Sequence, residues 1–517
     1  MKIEFYGAAS CVTGSGHLFK VNNKKILLDC GLYQGRDAKE RRNETFNFNP
    51  KEIDYVILSH AHIDHSGRIP LLYKQGFKGQ VLCTEATLDL CSVMLADSGH
   101  IQESEVEWKN RKRIRQGLDL LEPIYTSQNA LDSMKLFKGY PYNQWIQLFD
   151  GFKVRFRDAG HLLGSALLEI IVTENNQENK IVYTGDLGNK NIPLLNEPDV
   201  IESADYLIME STYGNRLHES NTTELNDLIN IIKDTFKRGG NVIIPSFAVG
   251  RTQEILYTLN NYVENNILQN TPVFIDSPLA TESTRIFNKH HNLFDEKATK
   301  LLNSGDDPLR FKGLFFTKSP EESAALNKIT KGAIIISASG MCEAGRIKHH
   351  LKHNLWRKES SIVFVGYQAE GTLGRIIVDG AKKVKIFGEE ISVNAKIYDL
   401  HGLSGHADRD GLFNWLSKIV VKPKKVILVH GDNNALTSFK ELIDSKGYST
   451  FVPNPGDVFT PGIDSLPNDV VATAPGVGSI TKGSVKTKIN SLLDSIEDIE
   501  SIDKNKLIEL IKNSLNS

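Results

Sequence analysis

The sequence is poor in cysteine. Its 517 residues hold five, Cys11, Cys30, Cys83, Cys91 and Cys342, and no two form a Cys-x-x-Cys pair. That excludes a disulfide framework and a zinc knuckle, and points to reduced thiols. No run of eighteen apolar residues occurs, and "MKIEFYGAAS" at the N-terminus goes straight into strand-like alternation. No membrane span or targeting segment is expected, no RNA-binding extension precedes the strand pattern at Ile3, and the expected location is cytoplasmic. Charge of one sign is also missing: 61 Lys and Arg stand against 63 Asp and Glu, a net charge of −2. Any anion site must therefore be local. No internal repeat or low-complexity segment stands out. What remains is an ordinary globular composition, 40% hydrophobic and 24% charged, in a chain too long for one core.

What is there is a recurring unit: a Val/Ile-rich run ending in a polar, Gly-rich turn. "KKILLDCG", "DYVILSHAH", "KIVYTGDLG", "ADYLIMESTYG" and "KKVILVHGD" end at Asp29, His60, Asp186, Glu210 and His430. Such continuous runs fit strands buried on both faces, and several lead into helical patterns, as at Thr252 to Leu259 and Arg409 to Ile419. The expected class is α/β, with chemistry at strand ends. Metal-type residues fall before 190 and again at His406 and His430, with a self-contained block between. That spacing predicts one sandwich domain (1–210 and 391–460) interrupted by an inserted α/β domain (211–390). An extension (461–517) comes last, with helical spacing at Ile489, Leu492, Leu493, Ile496, Leu507, Ile508 and Ile511.

The stretch "LSHAHIDHSG" puts His60, His62 and His65 within six residues, with Asp64 among them. They are too close to share a helix face and suit a loop leaving a strand. Imidazole with carboxylate suits zinc, and also manganese or iron. Four donors crowd one tetrahedral ion, so they divide naturally into His60 with His62 and Asp64 with His65. His161 in "DAGHLLGSA" would complete the first group and His406 in "LSGHAD" the second, with Asp186 as the bridging carboxylate. Two such ions can hold a hydroxide between them and neutralise a phosphoryl group. Asp29 is placed behind the ligands as an orienting residue. His100, His218, His290 and His291 lack such settings and are assigned to surface or core.

At these residues the chain resembles the metallo-β-lactamase superfamily, whose fold is an αββα sandwich with a dinuclear metal site on one edge. "ESTYG", "IPSFAVGRTQE", "SASGM", "GYQAEGTLGR" and "SGHAD" resemble its β-CASP branch, in order, from about Ile3 to about Gly456. The resemblance is nearer to the bacterial and archaeal relatives of the nuclease subunit of the cleavage and polyadenylation specificity factor than to ribonuclease J. It implies a zinc-dependent ribonuclease, with two Zn²⁺ and with Mn²⁺ as the alternative ion. It implies one zinc on His60, His62 and His161 and another on Asp64, His65 and His406, with Asp186 bridging and Glu210 holding His406 or a neighbour. RNA rather than DNA comes from the resemblance alone. Where eukaryotic relatives carry a histidine after "EGTL-x-[KR]", this chain has Ile376, which leaves His349, His350 or His353 as the substitute general acid, His353 foremost.

The inserted block adds anion-binding turns. Arg251 opens a helix, and Ser337, Ser339, Gly340, Gly371 and Arg375 lie in Gly-rich turns suited to phosphates. Arg111 to Arg115 concentrate four cations, read as a solvated helix face. The catalytic set expected from sequence is Asp64, Asp186, Glu210, Arg251 and His406. Single-stranded RNA is the expected partner, because a cleft between two domains admits a thin strand. No membrane partner is expected, and self-association is left open. The competing readings are a thioesterase- or lactonase-like small-molecule hydrolase and a non-catalytic RNA-binding scaffold.

Overall fold

In the computed structural model of the chain, the Val/Ile-rich runs become the strands of three sheets. The structure describes residues 1–218, 221–268, 270–366, 368–400 and 404–463. The helical pattern expected after residue 475 lies outside the described residues. The chain divides into two units, Met1–Pro461 and Gly462–Ser517, and all three sheets belong to the first.

The first seven-stranded sheet runs in the order Val458–Phe459, Lys2–Gly7, Gly16–Val21, Lys24–Leu28, Tyr55–Ile57, Gln80–Thr84, Phe137–Tyr140. The second runs Thr450–Phe451, Lys425–Leu428, Tyr206–Met209, Gln177–Tyr183, Ala166–Glu174, Phe152–Asp158, Trp145–Phe149. Alternate residues of both, among them Phe5, Phe19, Ile57, Leu82, Phe156, Ile170, Ile208 and Ile427, interlock in one apolar cluster between the sheets. Helices Ile69–Lys74 and Glu85–Gln116 cover the outer face of the first sheet, and Arg409–Ser417 and Asn433–Ser445 that of the second. This is an αββα layering. Burying each large aliphatic side chain contributes about 1.5–3 kcal/mol, so such two-faced strands hold the layers together.

The third sheet is all parallel, in the order Leu314–Phe316, Val273–Ile275, Ile334–Ser337, Val242–Pro245, Ser361–Phe364, Lys396–Asp399. Its last strand extends past residue 390, where the sequence pattern put the domain boundary. After it the chain returns to the sandwich: Lys425–Leu428 pairs in parallel with Tyr206–Met209, which pairs in parallel with Gln177–Tyr183. Three strand ends from distant parts of the chain thus lie side by side. They carry His430, Glu210 and Asp186.

Candidate metal centre

The strand Tyr55–Ile57 leads to the buried His60, and a single helical turn, Ile63–Ser66, comes next. The sequence pattern suggested a plain loop there. The turn aims Asp64 and His65 away from His60 and His62. Gly31 makes this packing possible, since a Cβ there would sit 1.6 Å from the Asp64 carbonyl oxygen.

Two donor groups result. His60, His62, His161 and Asp186 bring their ligand atoms within 4.8 Å of one another, and so do Asp64, His65 and His430. His60 Nε2 and His161 Nε2 lie 3.1 and 3.2 Å from His62 Nδ1. His65 Nε2 lies 3.1 Å from His430 Nε2, which is 3.7 Å from Asp64 Oδ2. Asp186 turns Oδ2 to His60 and His161, at 3.4 and 3.6 Å, and Oδ1 to His65, at 3.3 Å. One oxygen faces each group.

This corrects one expectation. His430, not His406, joins Asp64 and His65, because the strand carrying His430 is hydrogen-bonded beside the one carrying Glu210. His406 comes from a loop pinned to the Asp186 turn by Ala407 N donating to Leu187 O (2.8 Å) and Asn189 N to Gly405 O (3.0 Å). Its Nδ1 stands 4.0 Å from Asp186 Oδ2 but 3.2 Å from Glu210 Oε1. Glu210 is fixed in turn by Leu187 N (2.6 Å) and Thr212 N (3.2 Å).

The electrostatics suit cations. Burial holds His60, His62 and His161 below the ordinary imidazole value, His62 down to about 3, so their lone pairs are free. Asp186 Oδ1 is buried and accepts no hydrogen bond, a costly state for a carboxylate oxygen unless a positive charge faces it. Behind the site, Asp29 is fully buried and lies 2.7 Å from His65 Nδ1 through Oδ2. Asp29 also accepts from Ser59 N (2.7 Å), Ser59 Oγ (2.8 Å) and Tyr183 OH (2.6 Å). His161 Nδ1 points at the Gly405 carbonyl, 3.2 Å away. Such partners fix which ring nitrogen is available to a metal. The residues present fit a pair of divalent cations. Burial alone would depress His406, but Glu210 and Asp186 outweigh it and raise it to about 9.

The residues read as phosphate-binding are less uniform. Arg251 is buried and its guanidinium is engaged by Glu254 within the same helix, so its charge is already paired. Ser337 is buried and donates to Asp276 O (2.8 Å). Ser339 Oγ is bonded within its own turn, to Ala344 O (3.3 Å), and Gly340 backs onto Phe247. Gly371 is open, with φ of 83°, and Arg375 is partnered by Asp379 at 2.8 Å. His353 faces solvent, with Lys352, His350 and Glu389 as its charged neighbours, and the structure does not bring it to the donor groups. His350 is buried against Asp276 at 2.6 Å. His218, assigned to surface or core, instead reaches the His406 carbonyl oxygen at 3.0 Å, and no local sequence signal marks that contact.

Comparisons with known proteins keep the same order along the chain. Residues 11–245 match the model of the metallo-beta-lactamase superfamily, 252–377 the Beta-Casp domain, and 390–453 the Zn-dependent metallo-hydrolase RNA specificity domain. The chain is similar to Ribonuclease TTHA0252 of Thermus thermophilus, 35% identical across 86% of this chain and 97% of the relative. It is also similar to the transcription termination factor FttA of Methanocaldococcus jannaschii, 31% identical across 86% of this chain and 69% of the relative. In fold it resembles a crystal structure of a protein of unknown function from Enterococcus faecalis V583, with a TM-score of 0.50, 14% identity, and 89% and 99% of the two chains covered.

Proposed function

The chain belongs to the metallo-β-lactamase superfamily, in its β-CASP branch, and is a metal-dependent hydrolase; from that premise we propose that it is a zinc ribonuclease hydrolysing phosphodiester bonds of single-stranded RNA. The observation that carries the reading is the shared carboxylate, with one oxygen of Asp186 turned to each donor group and His406 held just outside both.

His60, His62 and His161 would hold one ion and Asp64, His65 and His430 the other. Imidazole with carboxylate suits Zn²⁺, with Mn²⁺ as the alternative. When bound, such a pair supplies a water nucleophile at neutral pH and neutralises phosphoryl charge. The chain's own residues do the rest. Asp29 and the Gly405 carbonyl orient His65 and His161. His406 is protonated at neutral pH, partly exposed, and free of the donor groups, so it is placed to give a proton to the departing 3′ oxygen. Glu210 keeps that proton on His406. The inserted domain comes close to the sandwich beside the site: Ala369 faces Gly35, and Gly250 faces Leu162, next to His161. A passage between two such walls favours a thin strand. The name of the Thermus relative supports RNA as substrate.

The test is cleavage of an end-labelled single-stranded RNA by the zinc-loaded protein, with Asp64→Ala as control. Metal-dependent cleavage that disappears in the variant is expected. A protein carrying two zinc ions that ignores RNA but opens a thioester or lactone would replace this reading with the small-molecule one.

A further inference from the structure

The far end of the long helix Glu85–Gln116 takes no part in the metal centre. From Ile101 to Gln116 no residue of this helix is buried. Trp108 is 58% exposed, Ile114 64%, Leu118 49%, Leu120 61% and Leu121 40%. Single apolar residues on a surface are ordinary, but five large ones between 108 and 121 form a patch of the kind that marks an interaction site. The segment is well fastened. Gly117, with φ of 65°, caps the helix, and the chain folds back along it. Asn110 then bonds both backbone groups of Leu121 at 2.9 Å. Arg113 Nε donates to the Asp119 carbonyl.

The charges along this stretch say what fits it. Glu103, Glu105 and Glu107 come first, and Lys109, Arg111, Lys112, Arg113 and Arg115 come after. The pairs within the helix, Glu107 with Arg111 at 2.6 Å and Glu105 with Lys109 at 3.6 Å, are fully exposed surface contacts that contribute little. An acidic half followed by a basic half is its own complement when reversed. Turning the helix end for end about residue 108 sets Glu103 opposite Arg113, Glu105 opposite Arg111 and Glu107 opposite Lys109. Trp108 then meets its own copy. That is the pattern of an isologous two-fold interface, in which residue i meets j and j meets i. RNA fits less well, since three glutamates precede the cations and Lys112 lies over the Trp108 ring at 3.8 Å.

We propose that residues 103–121 are a docking surface for the same segment of a second copy of this chain, the two helices running antiparallel about an axis at Trp108. Two helical hairpins make a small interface, so the dimer depends on concentration.

The test is sedimentation velocity of the full-length, zinc-loaded protein from about 1 to about 100 µM, a range that brackets a micromolar association. A rise to twice the chain mass is expected. Glu105→Lys/Glu107→Lys and Lys109→Glu/Arg111→Glu should each stay monomeric, and an equimolar mixture of the two should regain the dimer. The five native cysteines are all buried, so a bismaleimide should link Trp108→Cys chains in pairs and leave the wild type unlinked. A wild type that stays monomeric throughout would overturn the proposal. So would a dimer that survives both charge reversals, or variants that lose RNA binding while their mass is unchanged.

Discussion

His406 Nδ1 and Glu210 Oε1 stand 3.2 Å apart, and Glu210 is fully buried while the His406 side chain keeps 22% of its surface open. A buried carboxylate behind a partly open imidazole keeps a proton available where substrate arrives. The His406 value of about 9 means that the donor form is present at neutral pH and is lost as pH rises through that value. Cations beside Asp186 oppose the proton and bring the loss to lower pH. His406→Ala should lower kcat by about 10²- to 10⁴-fold, the usual worth of general acid catalysis, with metal content unchanged. Glu210→Gln should move the alkaline limb of the kcat–pH profile downward. An alkaline limb that stays in place in Glu210→Gln would show that the proton comes from elsewhere.

His430 and His406 are separated by the same reasoning. His430→Ala should cost the protein one of two bound zinc ions, because Asp64 and His65 alone are a poor site for the second. His406→Ala should keep both. Metal analysis of the two purified variants side by side decides this, and equal zinc in both would return His406 to the ligand set.

Asp29 reaches one metal donor, His65, at 2.7 Å. Asp29→Asn keeps the shape but removes the charge that holds the His65 ring in one tautomer. The ion at Asp64, His65 and His430 should bind about 10- to 100-fold more weakly, while the ion at His60, His62 and His161 is little affected. Titration against a chromophoric chelator reads the two affinities separately. A parallel weakening of both would assign Asp29 a general structural role.

Asp158 gives a stability prediction. Burial, opposed by a bond from Gly160 N and reinforced by Asp199, raises it from an ordinary 3.8 to about 7. Between those values the unfolded chain has lost the proton and the folded chain retains it. The group therefore favours folding below about pH 4, and that contribution is lost as pH rises to about 7. Asp158→Asn lacks this slope and should gain on the wild type in melting temperature as pH rises across that window. Melting curves at pH 4.5, 6 and 8 test it, and a constant difference would mean that Asp158 titrates normally.

The sequence by itself determined much of this. His60, His62, Asp64 and His65 lie on one strand end and the turn after it, so their convergence is local and their spacing reveals it. His161 and Asp186 also close strands of their own, and the apolar runs announce the sandwich and the parallel sheet. Only the tertiary structure decided between His406 and His430. Both end late segments of the chain, and nothing in "SGHAD" or "VHGD" ranks one above the other. The choice is made by the pairing of Lys425–Leu428 with Tyr206–Met209, a contact between strands more than two hundred residues apart. That pairing places His430 among the donors and leaves His406 to Glu210. The same holds for Arg251, legible as a helix-start cation, whose charge is taken by Glu254 once the helix is buried. Spacing reveals what a single turn brings together, and sheet order settles what meets across the fold.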